Sequence, residues 1–175
     1  HMLADRARSL DHFSNGRFIL GIGSGWNQRD YEEYGYEFGT AASRLRDLDR
    51  DMKIIMDRID KLNPPPIQNP LPILIGGGGE KVTLRIVAEY ATIWNGQDEP
   101  EVMRHKNQVL DEWCAKVGRD PNEIERSVQI FGPQLDKLDE YYDAGVTHFL
   151  TASKGPDYDL SGLEKLLAWR DAKAR

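Results

Sequence analysis

Two patterns of hydrophobic and polar positions alternate along the chain, one typical of strands and one typical of helices. Short apolar runs, of which Ile73-Leu74-Ile75 is the clearest, are typical of buried β-strands. Between them, apolar residues recur every three or four positions, which predicts amphipathic helices. The predicted strands cover residues 17–22, 73–75, 91–94, 124–131 and 146–150, and the predicted helices cover residues 3–13, 45–59, 82–90, 98–117, 135–142 and 160–173.

The alternation of these elements predicts parallel strands joined by helical crossovers, within a single α/β domain over residues 1–175. His1-Met2 has the look of a cloning remnant. Residues 27–40 predict a loop with one short helical turn, and Asp98 is expected to cap the helix that follows it. The last helix is expected to bury Leu163, Leu166 and Leu167. The pattern fits either a doubly wound sheet or part of a (β/α)8 barrel. A complete barrel takes ~250 residues, and this chain is shorter than that.

Four consecutive glycines, Gly76 to Gly79, follow the strand at residues 73–75, and a helix is expected directly after them. Glycines have no Cβ and adopt positive φ, so their N–H groups can approach a ligand closely. A helix N-terminus adds unpaired N–H groups and a partial positive charge. The stretch therefore predicts a phosphate-binding loop. The alternative is a tight turn that binds nothing.

A second glycine-rich stretch, Gly21-Ile22-Gly23-Ser24-Gly25-Trp26, follows the strand at residues 17–22. Both stretches come after a strand, and sites in parallel α/β folds lie at the carboxyl ends of strands, so a shared cleft is expected. Neither stretch is a dinucleotide fingerprint or a Walker A loop, and Gly23-Ser24-Gly25 lacks the spacing of a nucleophile elbow.

Charge and composition exclude several classes of function. The formal net charge is −6 with no cluster of Lys and Arg, so nucleic acid is a poor partner. No apolar run is long enough to span a bilayer. The single cysteine, Cys114, suits a reducing cytoplasm and is expected to pack in the core. His12, His105 and His148 lack the spacing of metal ligands, and His148 is expected to be an ordinary strand histidine.

Five phrases of the sequence resemble the luciferase-like monooxygenase family, in particular its branch that uses coenzyme F-420. Their order and spacing, more than any one phrase, carry the resemblance over most of the chain. They are residues 10–17 (LDHFSNGR), 20–27 (LGIGSGWN), 31–36 (YEEYGY), 73–81 (ILIGGGGEK) and 144–149 (AGVTHF).

The resemblance implies a (β/α)8 barrel with a flavin or deazaflavin at the carboxyl ends of its strands. It implies that Gly76, Gly77, Gly78 and Gly79, with Lys81 nearby, contact the phosphate of coenzyme F-420 or FMN. It also implies that Gly23, Ser24, Gly25 and Trp26 line the cofactor pocket, although Trp26 could equally be a core residue. No catalytic residue carries over from the resemblance, and no metal is expected.

Members of the family have about three further β/α units before the matched part, so this chain corresponds to a partial barrel of about five parallel units. A truncated pocket predicts impaired or absent turnover, and the alternative is a non-catalytic, self-associating fragment that binds at most a phosphate-bearing ligand. One face of the sheet would expose an alternating set of strand residues, such as Phe18, Leu20, Ile73 and Ile75 or their neighbours. A homo-oligomer, most simply a two-fold dimer, is therefore expected.

Overall fold

The computed structural model describes residues 1–153 and 155–173, and it contains twelve helices and strands in chain order. Two short 3-10 turns, Pro121–Glu123 and Gly132–Asp136, flank the fourth strand. The elements are α1 Met2–Phe13, β1 Leu20–Ile22, α2 Gln28–Tyr34, α3 Ala41–Ile59, β2 Ile73–Gly76, α4 Thr83–Tyr90, β3 Ile93–Gly96, α5 Pro100–Val117, β4 Glu125–Gln129, α6 Leu138–Asp143, β5 His148–Leu150 and α7 Ser161–Lys173.

The five strands form one parallel sheet in the order β1-β2-β3-β4-β5. Each strand therefore lies beside the next strand in the chain. A doubly wound sheet reverses direction at a switch point, whereas the strands of a barrel follow one another around the axis. The strand order decides between the two folds that the alternation allowed, and it confirms a partial (β/α)8 barrel of five units.

One face of the sheet packs against the helices and forms the core. Leu20, Ile73 and Ile75, which the sequence offered as candidates for the exposed set, are instead buried on this face, and Phe18 packs against the same core. Trp94 and Val128 continue the face on β3 and β4. Strand side chains alternate between faces, so burial of this set assigns the neighbouring set to the other side.

The second set defines a face that we call the open face. On this face Leu74 is half-buried, and Ile93 is only 6% exposed although it lies outside the core cluster of the described residues. Its upper row lies one layer closer to the carboxyl ends of the strands than its lower row. The pairing register places Gly21, Leu74, Ile93 and Glu125 in the lower row, and Gly76, Asn95, Ser127 and His148 in the upper row.

Several boundaries differ from the sequence prediction, and three of the differences have a clear local reason. Residues 28–34 form a two-turn helix, α2, that ends at Gly35 with φ +72°. Thr92 bonds the backbone of Ile73 through its hydroxyl, and β3 begins one residue later, at Ile93. Asp98 does not cap α5, which begins after Glu99 with Pro100 in its first turn. The Asp98 carboxylate pairs with Lys106 instead.

The outer helices expose apolar side chains at both ends of the sheet. In α7 only Leu166 is buried, so the prediction that Leu163 and Leu167 point inward was wrong. In α1, Leu10 and Phe13 are exposed in the same way. Across residues 1–153 and 155–173, no helix is both long enough and apolar enough to cross a membrane.

Candidate functional site

The loop of Gly76 to Gly79 is held by the core beneath it. The Gly77 N–H donates to the Asn95 carbonyl at 3.1 Å, and the buried Trp94 indole N–H donates to the Gly77 carbonyl at 2.8 Å. Gly77 has φ +119°, a conformation that side-chain-bearing residues rarely adopt. The glycine is therefore required by the backbone, and the path of the loop is fixed before any ligand arrives.

The next two residues leave their N–H groups available. Within the described part of the chain, the N–H groups of Gly78 and Gly79 meet no protein acceptor. The Gly79 carbonyl accepts from Leu84 at 3.0 Å, which closes a turn before α4. The helix begins at Thr83, one residue after the predicted start at residue 82. Exposed amides next to a helix N-terminus remain a suitable anion site.

Lys106 of α5 brings a positive charge to this loop, and the sequence offered no sign of it. Its side chain is only 13% exposed, and its ammonium lies 2.5 Å from Asp98. A Cβ placed on Gly78 would collide with the Lys106 ammonium and lie 3.3 Å from the Asp98 carboxylate. The Asp98 carbonyl accepts from the Tyr141 hydroxyl at 3.1 Å, and burial raises the pKa of Tyr141 to about 12.

Two further side chains of α5 tie the end of the loop to the helix layer. The Trp113 indole donates to the Glu80 carbonyl at 2.7 Å, and the His105 ring lies 3.1 Å from the Glu80 carboxylate. Lys81, predicted beside the phosphate, is exposed in the turn before α4. Lys106 is thus the lysine that the structure places against a loop glycine.

The second glycine stretch lies beside the first. A Cβ on Gly23 would stand 3.8 Å from the Gly76 carbonyl, so the two stretches are neighbours at the carboxyl ends of β1 and β2, as expected for a shared cleft. Gly25 has φ +77°, and its carbonyl accepts from Arg44 at 3.0 Å. Trp26 is 86% exposed, which excludes the core alternative for this residue.

Ser24 faces a cavity between the second glycine stretch and α3. The cavity has a volume of about 430 Å³ and is lined by Gly23 and Ser24 together with Tyr31, Phe38 and Arg44. The Arg44 guanidinium lies 3.7 Å from the centre of the Phe38 ring, and its Nη1 donates to the Phe38 carbonyl at 3.0 Å. Arg44 therefore holds residues 25–38 against α3.

Polar side chains near the carboxyl ends of β3 and β4 complete the site, and sequence reasoning missed them. The Asn95 amide donates to the Ser127 hydroxyl at 2.9 Å on the open face. One layer above, the Gln97 amide donates to the Gln129 side chain at 2.8 Å. Polar residues two apart at the end of each strand, Asn95 with Gln97 and Ser127 with Gln129, were the available signal.

The remaining candidates have structural roles. His148 pairs with Glu125 at 3.1 Å, which fits the strand-histidine interpretation. No group of three or more potential metal ligands occurs among residues 1–153 and 155–173. Cys114 is buried, as predicted, and burial raises the pKa of its thiol.

Comparison with known proteins relates the fold to a family. A family model described as luciferase-like monooxygenase matches residues 2–158. Uncharacterized proteins of Mycobacterium tuberculosis and Mycobacterium bovis are 26% identical over 163 residues, which is 85% of this chain and 57% of theirs. The chain thus spans little more than half the length of the curated relatives it matches.

Two solved structures share the fold at low identity. An F-420-dependent secondary alcohol dehydrogenase, in complex with an F-420–acetone adduct, superposes with a TM-score of 0.77 at 13% identity over 94% of this chain and 72% of that one. A coenzyme F-420-dependent tetrahydromethanopterin reductase of Methanopyrus kandleri gives 0.59 at 15% identity over 95% and 70%. With the family match over residues 2–158, we conclude that the chain belongs to the luciferase-like monooxygenase family.

Proposed function

We propose that this chain is a cofactor-binding domain of a flavin- or coenzyme F-420-dependent oxidoreductase. The observation that carries the proposal is the preformed loop at Gly76 to Gly79, whose Gly78 and Gly79 N–H groups have no acceptor among the described residues. Membership in the luciferase-like monooxygenase family supports it, as does the coenzyme F-420 named for both solved relatives of the same fold.

The residues present fit a phosphate-bearing cofactor. A Cβ on Gly76 would meet no atom within 4 Å, so the upper row of the open face has space beside the loop. Gly78 and Gly79 would hold the phosphate through their N–H groups. Gly23 would allow close approach of the rest of the molecule, and Trp26 would supply an aromatic wall. A bound deazaflavin or flavin would supply hydride chemistry, while the protein positions it.

We propose that turnover by the 175-residue chain is impaired. Asn95 and Ser127 are buried on the open face, but Leu74 and Gln129 are only half-buried and Trp26 is 86% exposed, so water reaches the space where a ring would lie. Enzymes of this kind depend on excluding water from the reacting atoms. The chain would therefore hold the cofactor more effectively than it uses it.

Cofactor binding is tested by filling the space beside the loop. Gly76→Val adds a side chain to the open face where no atom stands within 4 Å, so the fold should persist while the ligand is blocked. Gly21→Val is the matched control, because Gly21 has the same free space one row lower on the neighbouring strand. FMN and coenzyme F-420 are titrated against each variant by fluorescence, with circular dichroism as the check on folding.

The proposal predicts that the native chain and Gly21→Val bind one of the two cofactors and that Gly76→Val loses at least tenfold in affinity, or about 1.4 kcal/mol. Binding that survives in Gly76→Val would place the ligand elsewhere. A native chain that binds neither cofactor would favour the second candidate, a non-catalytic barrel fragment.

We also propose that a second copy of the chain covers the open face. The support is the exposed apolar side chains on α1 and on α7, together with the outer edges of β1 and β5, which have no neighbouring strand among the described residues. A two-fold dimer would join like surfaces. Light scattering at micromolar concentration should give a dimer, Leu74→Lys on the open face should give a monomer, and Val102→Lys on α5 should change nothing. A monomeric native chain would contradict the proposal.

A further inference from the structure

Lys106 approaches the glycine loop from the helix layer and not from the loop itself. It lies seven positions into α5, yet its ammonium reaches the position that a Gly78 side chain would occupy. The side chain is 13% exposed, so its charge is held in one place, in contrast to the exposed Lys81. Gly78 has no positive φ that would require glycine. Its lack of a side chain makes room for Lys106.

Among the described residues, the partner of Lys106 uses only part of its hydrogen-bonding capacity. An ammonium has three N–H donors, and Asp98 accepts one of them at 2.5 Å. The Asp98 carboxylate is itself 37% exposed and lies 3.3 Å from the position of a Gly78 Cβ. A phosphate at the Gly78 and Gly79 amides would therefore meet an attractive ammonium and a repulsive carboxylate side by side.

We propose that Lys106 is the phosphate-binding cation of this site and that Asp98 is its internal counter-ion, which a phosphate competes with. This inference rests on the proposed function for the identity of the ligand. A phosphate oxygen accepts from the Lys106 ammonium and from the loop N–H groups, and charge-assisted bonds of this kind are stronger than neutral ones. Lys81 contributes nothing beyond its long-range charge. No covalent step is involved.

The test separates the phosphate from the ring. FMN and riboflavin share one ring and differ by the phosphate, so the ratio of their affinities measures the phosphate contribution. Lys106→Gln should lower FMN affinity about tenfold or more and leave riboflavin affinity unchanged. Lys106→Arg should restore most of the FMN affinity, because the charge remains. Lys81→Gln is the matched control and should keep both affinities. Asp98→Asn should raise FMN affinity severalfold, because the repulsive carboxylate is gone.

Inorganic phosphate, titrated by calorimetry, separates this inference from the proposed function. Phosphate binding that depends on Lys106, in a chain that binds no flavin or coenzyme F-420, would overturn the proposed function and support Lys106. Equal affinity of the native chain for FMN and riboflavin would overturn Lys106 and leave the flavin proposal standing. The inference is also overturned by equal losses in Lys106→Gln and Lys81→Gln, by an FMN loss in Asp98→Asn, or by a native chain that binds neither phosphate nor FMN.

Discussion

The two glycine-rich stretches have similar composition and very different support. The stretch at Gly76 to Gly79 is hydrogen-bonded to the buried Trp94 through the Gly77 carbonyl. Trp113 binds the carbonyl of the residue that follows it, and Lys106 packs against Gly78. The stretch at residues 23–26 ends in an exposed Trp26, and Arg44 is the main link between its backbone and α3.

The difference shows that glycine content alone does not make a binding loop. A loop that is fixed by buried groups presents its N–H groups without an ordering cost when a ligand arrives, which is the physical basis of preorganisation. A loop held to its helix mainly by one half-buried arginine is expected to gain more of its order at that moment. We therefore expect the phosphate end of the cleft to be rigid and the ring end to adjust.

The largest difference in stability is expected between variants of two tryptophans, the one that supports the first loop and the one that ends the second. Trp94→Ala removes a fully buried ring and its bond to Gly77, and should cost about 3–5 kcal/mol of unfolding free energy. Trp26→Ala should change it by less than about 0.5 kcal/mol, because the ring is in solvent. Urea denaturation followed by circular dichroism measures both. Similar losses in the two variants would break the comparison.

Asp11 holds the segments that lead into β1 and β2, the two strands that carry the glycine stretches. The Asp11 carboxylate accepts from the Ile67 and Gln68 N–H groups, at 2.7 and 3.0 Å, and from the Gln68 side-chain amide at 2.7 Å. The same Gln68 amide donates to the Phe18 carbonyl, so Asp11 joins the segments that enter β1 and β2. Asp11→Asn turns an acceptor into a donor there and should cost about 2 kcal/mol at pH 7.

The pH dependence of that cost follows from the pKa of Asp11. Burial acts to raise this pKa, but the hydrogen bonds from Gln68 and Ile67 hold it below its ordinary value. The contribution to stability is therefore complete above about pH 4, the ordinary pKa, and is lost as the pH falls through the lowered one. The gap between native chain and Asp11→Asn should shrink below about pH 4. A gap that is constant from pH 7 to pH 3 would contradict this account.

A matched pair of glycines tests the backbone of each loop. Gly77→Ala places a Cβ at φ +119° and 3.3 Å from a Thr83 methyl, and should cost about 1–3 kcal/mol. Gly23→Ala meets only an ordinary contact at 3.8 Å, and its φ lies outside the strained region, so its cost should stay below about 0.5 kcal/mol. Thermal denaturation of the two variants measures the difference. A greater loss in Gly23→Ala would reverse the assignment of the rigid loop.

The sequence predicts much of this architecture because strand signals are local. The run at residues 73–75 identified β2, and the alternation of elements limited the fold to two classes. The order of the strands distinguished the barrel from the doubly wound sheet. That order depends on long-range contacts, which the periodicity of the sequence does not reveal. Lys106 was missed for the same reason, since 28 positions separate it from Gly78 and only the packing of α5 on α4 brings them together. Asp98 was misassigned because a cap and an ion pair use the same residue type.

The smallest effect should come from the arginine that holds the second loop. Arg44→Ala removes the bonds to the Gly25 and Phe38 carbonyls and the contact with the Phe38 ring, at a cost of about 1 kcal/mol. The change should appear as faster amide exchange and protease cleavage within residues 25–38, while the amides of residues 76–80 keep their exchange rates. Arg46→Ala, at an exposed position on the same helix, is the control. If the loop at residues 76–80 loosened equally in Arg44→Ala, the two loops would not be independently supported, and the rigid phosphate end would depend on the mobile ring end.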